Sequence, residues 1–284
     1  AAAGRREKVE IRISVRSFVE FLLRSGDIDN RRSVGSEDAM AEGVRIHRMI
    51  QRRMGAEYQA EVQMAETVLY PKYSIEIEGR ADGIIDDGKS GRVVVDEIKS
   101  TYRELKKISA PFPEHLAQAK CYAYIYARQH KLDEIGVRMT YCNIDTEEIK
   151  YFHENFRLST LKKWFGNLLE QYKKWADFEC DWKEKRQESI ERIAFPFAYR
   201  EGQKQLVGYV YQTIHEHKKL FMEAPTGVGK TISTMYPAIK SIGEGKADKL
   251  FYLTAKTVTG TVARDTLDLL RKKGLSFKSV VITA

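Results

Sequence analysis

The chain is poor in the features that mark secreted, disulfide-bonded and membrane-spanning proteins. It has only three cysteines, Cys121, Cys142 and Cys180. Their wide spacing contains no C-x-x-C pair, which argues against a zinc site or a disulfide framework and predicts reduced thiols. No apolar run approaches the roughly 20 residues of a membrane helix, and the first residues lack the apolar core of a signal peptide. We therefore expect a cytoplasmic protein that has no membrane partner.

The composition is that of a basic globular protein. Its 284 residues are 43% hydrophobic and 31% charged, which is enough chain for two domains with a core each. The net charge is +8 and the isoelectric point is about 9.2. This balance is compatible with a polyanionic partner such as nucleic acid, but on its own it is weak support.

Hydrophobic periodicity predicts an α/β fold in two parts. Helices are expected at 14–23 (stopped by Gly26), from Ser36 to Gly55, from Pro113 and at 161–172. Strands are expected at 67–73, 74–79, 81–86, 92–99 and 136–144, and 148–156 can pair with the last of these. The charged stretch 181–192 is typical of a solvated helix or a linker. We place the domain boundary near it, giving domains of residues 1–185 and 186–284.

The second domain contains a phosphate-binding motif. Residues 224–231 read A-x-x-x-x-G-K-T, after an apolar run, Leu220–Met222, that is expected to be a strand. Gly227 and Gly229 would let backbone amides curl around phosphates, while Lys230 would reach the β- and γ-phosphates and Thr231 would hold Mg²⁺. The motif and its context together predict a nucleotide site.

Two flanking segments extend this motif. The stretch YREGQ (199–203) resembles the adenine-reading glutamine motif of helicases, and FYLTAKT (251–257) resembles a helicase motif that touches single-stranded DNA. Together with the loop they resemble superfamily-two helicases of the DinG/XPD type. The resemblance implies ATP binding, with a weaker role for Arg200. The implied nucleotide-binding residues are Gln203, Thr226, Gly227, Val228, Gly229, Lys230 and Thr231.

The motor elements that should follow this loop are missing. Such motors also need an acidic residue on another strand and an arginine from a second RecA-like domain, and the chain ends at VVITA. We expect an incomplete RecA-like P-loop domain and a fragment of a longer protein. We also expect that this chain alone does not hydrolyse ATP at a helicase-like rate.

The first domain places charges where a buried strand is expected. The stretch VVVDEIKST (93–101) sets Asp96, Glu97 and Lys99 into an apolar run, and buried charges are costly unless they are paired or bind a metal. A hairpin through DDGKSG would bring Asp82 close to Glu97, and facing carboxylates suit Mg²⁺ or Mn²⁺. Strand alternation puts Glu97 and Lys99 on one face and Asp96 on the other. Such a site fits phosphodiester hydrolysis, with Lys99 offsetting developing negative charge.

Four motifs in order resemble one nuclease family. They are G-x-x-x-H ending at His47, G-x-x-D ending at Asp82, (D/E)-x-K at 97–99, and Q-x-x-x-Y at 118–122. As a set they resemble the RecB-type PD-(D/E)XK nucleases, which implies a restriction-endonuclease-like core. By this resemblance Asp82, Glu97 and Lys99 are catalytic. The implied metal ligands are His47, Asp82, Glu97 and the Ile98 carbonyl, and Gln118 and Tyr122 would lie against DNA or brace the site.

The chain departs from part of that family in its cysteines. Many relatives hold an iron–sulphur cluster with four cysteines, one of them before the histidine helix. No cysteine precedes His47 here, so we expect no cluster, and packing by the Trp164/Phe165 helix would replace it.

Three functional hypotheses remain open. The main one is a metal-dependent DNA nuclease that acts as an exonuclease on single strands or ends in DNA repair or processing and is joined to a helicase. The alternative is a catalytically silent, nuclease-shaped module that guides DNA to the helicase. The third is a P-loop ATPase unrelated to DNA. The sequence leaves the oligomeric state open.

Overall fold

The computed structural model of the chain is α/β, as predicted. It describes residues 9–24, 37–86, 88, 91–225, 227–255 and 257–282, so the expected helix signals at Gly26 and Ser36 lie outside the described residues. The chain divides into two compact units, Ala1–Asp177 and Phe178–Ala284. The boundary expected from the sequence at 185/186 stays a prediction.

The first unit is built on a six-stranded mixed sheet. Its order is β1–β3–β4–β5–β6, with β2 paired to β3. The strands are β1 (Val9–Ser14), β2 (Tyr58–Leu69), β3 (Tyr73–Asp86), β4 (Val93–Thr101), β5 (Glu134–Asn143) and β6 (Ile149–Arg157). The helices are α1 (Val15–Leu23), α2 (Glu37–Arg52), α3 (Pro113–His130) and α4 (Leu158–Arg192), and a 3₁₀ turn covers Leu105–Lys107.

Strand β3 has three partners and a gap. It pairs with β2 along almost its whole length, while its other edge holds β1 at 73–78 and β4 at 83–86. Neither β1 nor β4 pairs with residues 79–82 on that edge. Beyond Asp96, β4 leaves β3 and runs parallel to β5. The two strands therefore form a fork, and Asp82 lies at its base.

The strand boundaries correct the sequence analysis in three places. Strand β1 was not predicted, and the run 67–73 is interrupted by a turn after Leu69. The runs 74–79 and 81–86 form one continuous strand. Its glycines, Gly79 and Gly83, do not mark turns but leave space for side chains of other elements. A Cβ on Gly79 would lie 2.7 Å from the Tyr122 hydroxyl, and one on Gly83 would overlap the Tyr58 ring. The predicted pairing of 148–156 with β5 is confirmed.

Local signals explain where the helices of this unit begin and how α2 is held. The Ser14 hydroxyl accepts a hydrogen bond from the Ser17 amide at 3.0 Å and caps α1. Pro113 occupies the first turn of α3, where its missing N–H has no cost. On α2, Ile46 and Ile50 are fully buried in a cluster with Ile98 of β4. This packing fixes the helix that carries His47.

The second unit is helical in its described part. Besides the end of α4, it contains α5 (Gln203–His215), α6 (Lys230–Gly243) and α7 (Thr257–Lys272). Fully or nearly buried apolar residues, among them Ile239, Ile242 and Leu270, form its core. The strand expected at Leu220–Met222 is not formed, and no described residue of this unit is assigned to a strand. Phe221, Phe251 and Leu253 are 92%, 77% and 88% exposed because these runs have no neighbouring strand to pack with.

A membrane-spanning helix needs about 20 predominantly apolar residues. In the ranges given above, no helix combines the required length with sufficient apolar character.

Candidate active site

Asp82 is held at the fork by β4 and by α2. Its Oδ2 accepts a hydrogen bond of 2.7 Å from the Ile98 amide, and its Oδ1 lies 3.2 Å from Nδ1 of His47. The sequence predicted that the Ile98 carbonyl binds a metal, whereas the observed contact with Asp82 is made by the Ile98 N–H. That carbonyl as a metal ligand stays a prediction. The hairpin thus brings Asp82 to β4 as the sequence predicted.

Glu97 and Lys99 lie on the same face of β4 and contact each other. Lys99 Nζ is 2.8 Å from Glu97 Oε1, while Glu97 Oε2 is buried and has no hydrogen-bond partner among the described residues. Burial raises the pKa of the Glu97 carboxyl to about 7, with Lys99 opposing the shift and Asp82 adding to it. An ionised carboxylate with one buried oxygen that accepts no hydrogen bond lowers the stability of the fold.

His47 faces this site from α2. Burial alone would lower the pKa of its imidazole, but the hydrogen bond to Asp82 and the charge of that carboxylate leave it raised. Gly43, the glycine of the G-x-x-x-H motif, lies one turn before His47, where the lack of a side chain could clear space beside the imidazole. A Cβ at Gly43 would make only an ordinary 3.5 Å contact with the Ser100 hydroxyl, so that role is not required here.

Gln118 and Tyr122 brace the site from α3. Gln118 Oε1 accepts a 3.0 Å hydrogen bond from Lys99 Nζ. The Tyr122 hydroxyl fills the gap beside Gly79, and burial raises the pKa of this phenol. The bracing contact expected here is therefore present for Gln118, while Tyr122 contributes by packing, and contact of either residue with DNA stays a prediction.

Asp96 points away from these groups into a buried polar cluster. Its carboxylate accepts two hydrogen bonds of 2.9 Å from Arg138, one of 2.5 Å from Thr140 and one of 3.0 Å from Tyr58. In the register of β4 and β5, Asp96 is paired directly with Arg138. The expected alternation along β4 is confirmed, and the two adjacent acids are separated by the sheet.

His47, Asp82 and Glu97 are the side chains that could bind a divalent cation at this site. In the described part of the chain, no three His, Cys, Asp or Glu side chains are gathered closely enough to hold a metal ion as they stand. Instead His47 and Asp82 contact each other, and Glu97 contacts Lys99. The set still fits by its chemistry, because two carboxylates and an imidazole are suitable ligands for Mg²⁺ or Mn²⁺ and the buried Glu97 Oε2 lacks a donor.

The phosphate loop of the second unit has part of the expected geometry. Gly227 and Gly229 have φ of +86° and +77°, in the region that favours glycine, and Gly229 caps α6. Lys230 Nζ donates to the carbonyls of Ala224 and Pro225 at 2.7 and 2.8 Å, so it folds back on its own loop. Thr226 lies outside the described residues.

Gln203 and Arg200 contact this loop directly. The buried Gln203 amide donates to the Val228 carbonyl at 3.1 Å and its Oε1 accepts from the Arg200 backbone N–H, also at 3.1 Å. The Arg200 guanidinium donates to the Gly227 carbonyl. Thr231 Oγ1 is 3.5 Å from the Tyr252 hydroxyl. These contacts support the loop, while adenine reading by Gln203 stays a prediction.

No family model and no curated protein matches the chain. Among solved structures it is similar to one titled "Crystal structure of SSO0001", at 18% identity and a TM-score of 0.37, over 59% of this chain and 79% of that one. A likeness of this size carries no argument.

Two residues at the site escaped the sequence analysis. Gln51, one turn after His47 on α2, donates to the Asp82 carbonyl at 3.0 Å and to Glu61 Oε1 at 2.8 Å. Glu61 lies in β2 with φ of +59°. The spacing of Gln51 from His47 places both on one helix face and was the only available signal. Nothing in the sequence of β2 marks the unusual backbone at Glu61.

Proposed function

We propose that the first unit is a divalent-metal-dependent nuclease that hydrolyses phosphodiester bonds of DNA. The observation that carries the proposal is the buried, unpartnered Oε2 of Glu97, which lies beside Lys99 and across the fork from Asp82. A core whose only task was packing would satisfy or exclude such an oxygen. A restriction-endonuclease-like core of RecB type is the finer fold that goes with this proposal.

Each residue of the site then has a defined task. His47, Asp82 and Glu97 would hold the cation, which when bound activates water and polarises the phosphate. Lys99, oriented by Gln118, would stabilise negative charge that develops on the phosphate oxygens. Tyr122 fills the space beside Gly79 at the fork. The net charge of +8 is in keeping with a polyanionic substrate.

The test is a gel assay without ATP. Labelled single-stranded and duplex DNA are incubated with Mn²⁺ or Mg²⁺ and the wild-type chain, Lys99→Ala or Asp82→Ala. Two matched controls remove exposed charges close by in the chain, Lys106→Ala and Glu78→Ala. We expect cleavage by the wild type and both controls and its loss in the two site variants. The product ladder distinguishes exonuclease from endonuclease action.

Three outcomes would contradict this proposal. Wild-type protein that is folded and binds DNA but does not cleave it would favour the silent guiding module. Cleavage that survives both site substitutions would indicate another active centre. DNA binding that is absent at about 50 mM salt, where phosphate contacts are strongest, would favour the ATPase unrelated to DNA.

For the second unit we propose binding of a nucleoside triphosphate as part of a helicase-type motor. The two loop glycines with positive φ and the start of α6 at Lys230 favour this function. Calorimetric titration of ATP–Mg²⁺ tests it, with Lys230→Ala as the site variant and Lys240→Ala, later on the same helix, as the control. Equal ATP affinity in wild type and Lys230→Ala would exclude the loop as the binding site.

A further inference from the structure

The strand opposite Asp82 has an unusual backbone at one residue. The register of β2 and β3 pairs Ala60 with Gly83 and Val62 with Ala81, but the intervening pair of Glu61 and Asp82 is missing from the ladder. Glu61 has φ of +59°, a left-handed conformation that a residue with a Cβ rarely adopts within a strand. Backbone strain of this kind persists only where surrounding contacts impose it.

The contacts that impose it run through α2. Gln51 donates to both Glu61 Oε1, at 2.8 Å, and the Asp82 carbonyl, at 3.0 Å. Arg80 also lies 2.5 Å from Glu61, through Oε2. The carbonyl of Asp82 thus bonds to a helix side chain at the one position where the ladder with β2 is interrupted.

We infer that Gln51 and Glu61 form a clamp that positions the Asp82 carboxylate. The clamp fixes the Asp82 main chain, while the Ile98 amide of β4 and His47 of α2 hold its carboxylate. Neither residue touches the place where substrate would react, so both are positioning residues. This inference rests on the nuclease proposed above for its consequence, and on the contacts of Asp82 for its geometry.

A set of substitutions at Glu61 separates positioning from stability. Glu61→Gly removes the carboxylate and at the same time relieves the left-handed backbone, because glycine adopts positive φ freely. Glu61→Ala removes the carboxylate and keeps the strain. Glu61→Gln keeps an oxygen that can accept from Gln51. We therefore expect Glu61→Gly to be at least as heat-stable as Glu61→Ala and yet equally defective at the site.

The first readout needs neither metal nor DNA. The Ile98 amide donates to Asp82 at 2.7 Å, so its hydrogen-exchange rate, measured by NMR in metal-free protein, reports the position of that carboxylate. We expect exchange at least about tenfold faster in Glu61→Gly and in Gln51→Ala, and a rate within about threefold of wild type in Glu61→Gln. Arg48→Ala, an exposed change on the same helix, should leave the rate unaltered.

The second readout is Mn²⁺ affinity by calorimetry. Loss of groups that orient a metal ligand typically weakens binding by about 10–100-fold, and we expect that range for Glu61→Gly and Gln51→Ala, with rescue in Glu61→Gln. Ile98 exchange within twofold of wild type in folded Glu61→Gly would overturn the clamp. A wild-type chain that neither binds Mn²⁺ nor cleaves DNA would overturn the nuclease instead, and the exchange rates would still decide on the clamp.

Discussion

The two units differ in how far each motif is assembled into a site. In the first, Asp82, Glu97 and Lys99 lie on hydrogen-bonded strands. Asp82 bonds to the Ile98 amide of β4, and Lys99 contacts both Glu97 and Gln118 of α3. In the second, the phosphate loop follows a run without a strand, and Lys230 bonds to carbonyls of its own loop. Both motifs can be identified equally well from the sequence. The difference shows that the side chains of a motif are brought together where neighbouring strands hold them in register.

The largest expected effect is the loss of stability of the first unit in Asp96→Ala. The substitution leaves the Arg138 guanidinium, 13% exposed, without its carboxylate, which costs about 3–5 kcal/mol of unfolding free energy. Urea titration followed by circular dichroism measures it. Glu78→Ala, at an exposed position of β3, is the control and should change stability by no more than about 0.5 kcal/mol. A loss below about 1 kcal/mol in Asp96→Ala would contradict the buried ion pair.

The next largest effect is the difference between two lysine substitutions in their effect on DNA cleavage. Lys99→Ala should reduce the single-turnover rate of Mn²⁺-dependent cleavage by roughly 10²–10³-fold, since one charge-stabilising donor contributes about 2.7–4 kcal/mol. Lys230→Ala, the loop lysine of the second unit, should leave the rate without ATP unaltered. If both variants lost cleavage equally, the two units would not be functionally distinct.

The pH response of the first unit sharpens the comparison further. The pKa of Glu97 is raised from 4.5 to about 7, so its contribution to stability is present below pH 4.5 and is lost as pH rises through 7. In the second unit the pKa of Glu216 is lowered, chiefly by the hydrogen bond from Lys218, so its contribution is lost as pH falls. Metal-free wild type should therefore lose more stability than Glu97→Gln between pH 5 and 8.

The same carboxyl should govern metal affinity. A cation requires the ionised form of Glu97, so Mn²⁺ affinity should rise as pH passes through about 7 rather than 4.5. Calorimetric titration of Mn²⁺ at pH 6 and 8 measures the affinity, and urea unfolding of metal-free protein at pH 5 and 8 measures the change in stability. An affinity that reaches its plateau by pH 6 would show that Glu97 is already ionised there.

A smaller effect is expected at the glycine that makes room for Tyr122. Gly79→Ala places a Cβ 2.7 Å from the Tyr122 hydroxyl, which should cost about 1–3 kcal/mol. Gly166→Ala is the matched control: it lies within α4 with open space around it and should stabilise by about 0.5–1 kcal/mol. Thermal unfolding of both variants checks the signs. Equal shifts of the unfolding temperature in the two variants would mean that the space beside Tyr122 can hold a side chain at position 79.

The smallest effect is expected in the exposed runs of the second unit. Phe221→Ala should change stability by no more than about 0.5 kcal/mol, because that side chain is 92% exposed. Ile77→Ala, at a fully buried position of β3, should cost about 2–5 kcal/mol. A large loss in Phe221→Ala, measured by urea unfolding, would show that this run is packed in solution and would remove the contrast between the units.

Much of the first unit could be predicted from periodicity and spacing. The start of α3 at Pro113 and the alternation along β4 are local signals, and both are present in the structure. The approach of Asp82 to β4 followed from the turn between the two strands. These features depend on near neighbours in the chain, which a sequence displays directly.

What escaped prediction depends on strand register and on distant partners. Arg138 neutralises Asp96 only because β4 and β5 pair in one particular register. Gly79 reads as a strand break until Tyr122, from another element, is known to occupy the space beside it. The left-handed conformation of Glu61 likewise has its cause in α2. No local pattern carries such information.

The division of one edge of β3 between β1 and β4 also has a consequence during synthesis. Ribosomes add about 5–20 residues per second. Strands β1 and β2 precede β3 in the chain, so the first part of β3 can pair as soon as it emerges. The Ile98 amide that bonds to the Asp82 carboxylate follows sixteen residues later, an interval of about one to three seconds. The hydrogen bond between Asp82 and β4 can therefore form only after β4 has also left the ribosome, later than the contacts that His47 and Gln51 of α2 can make.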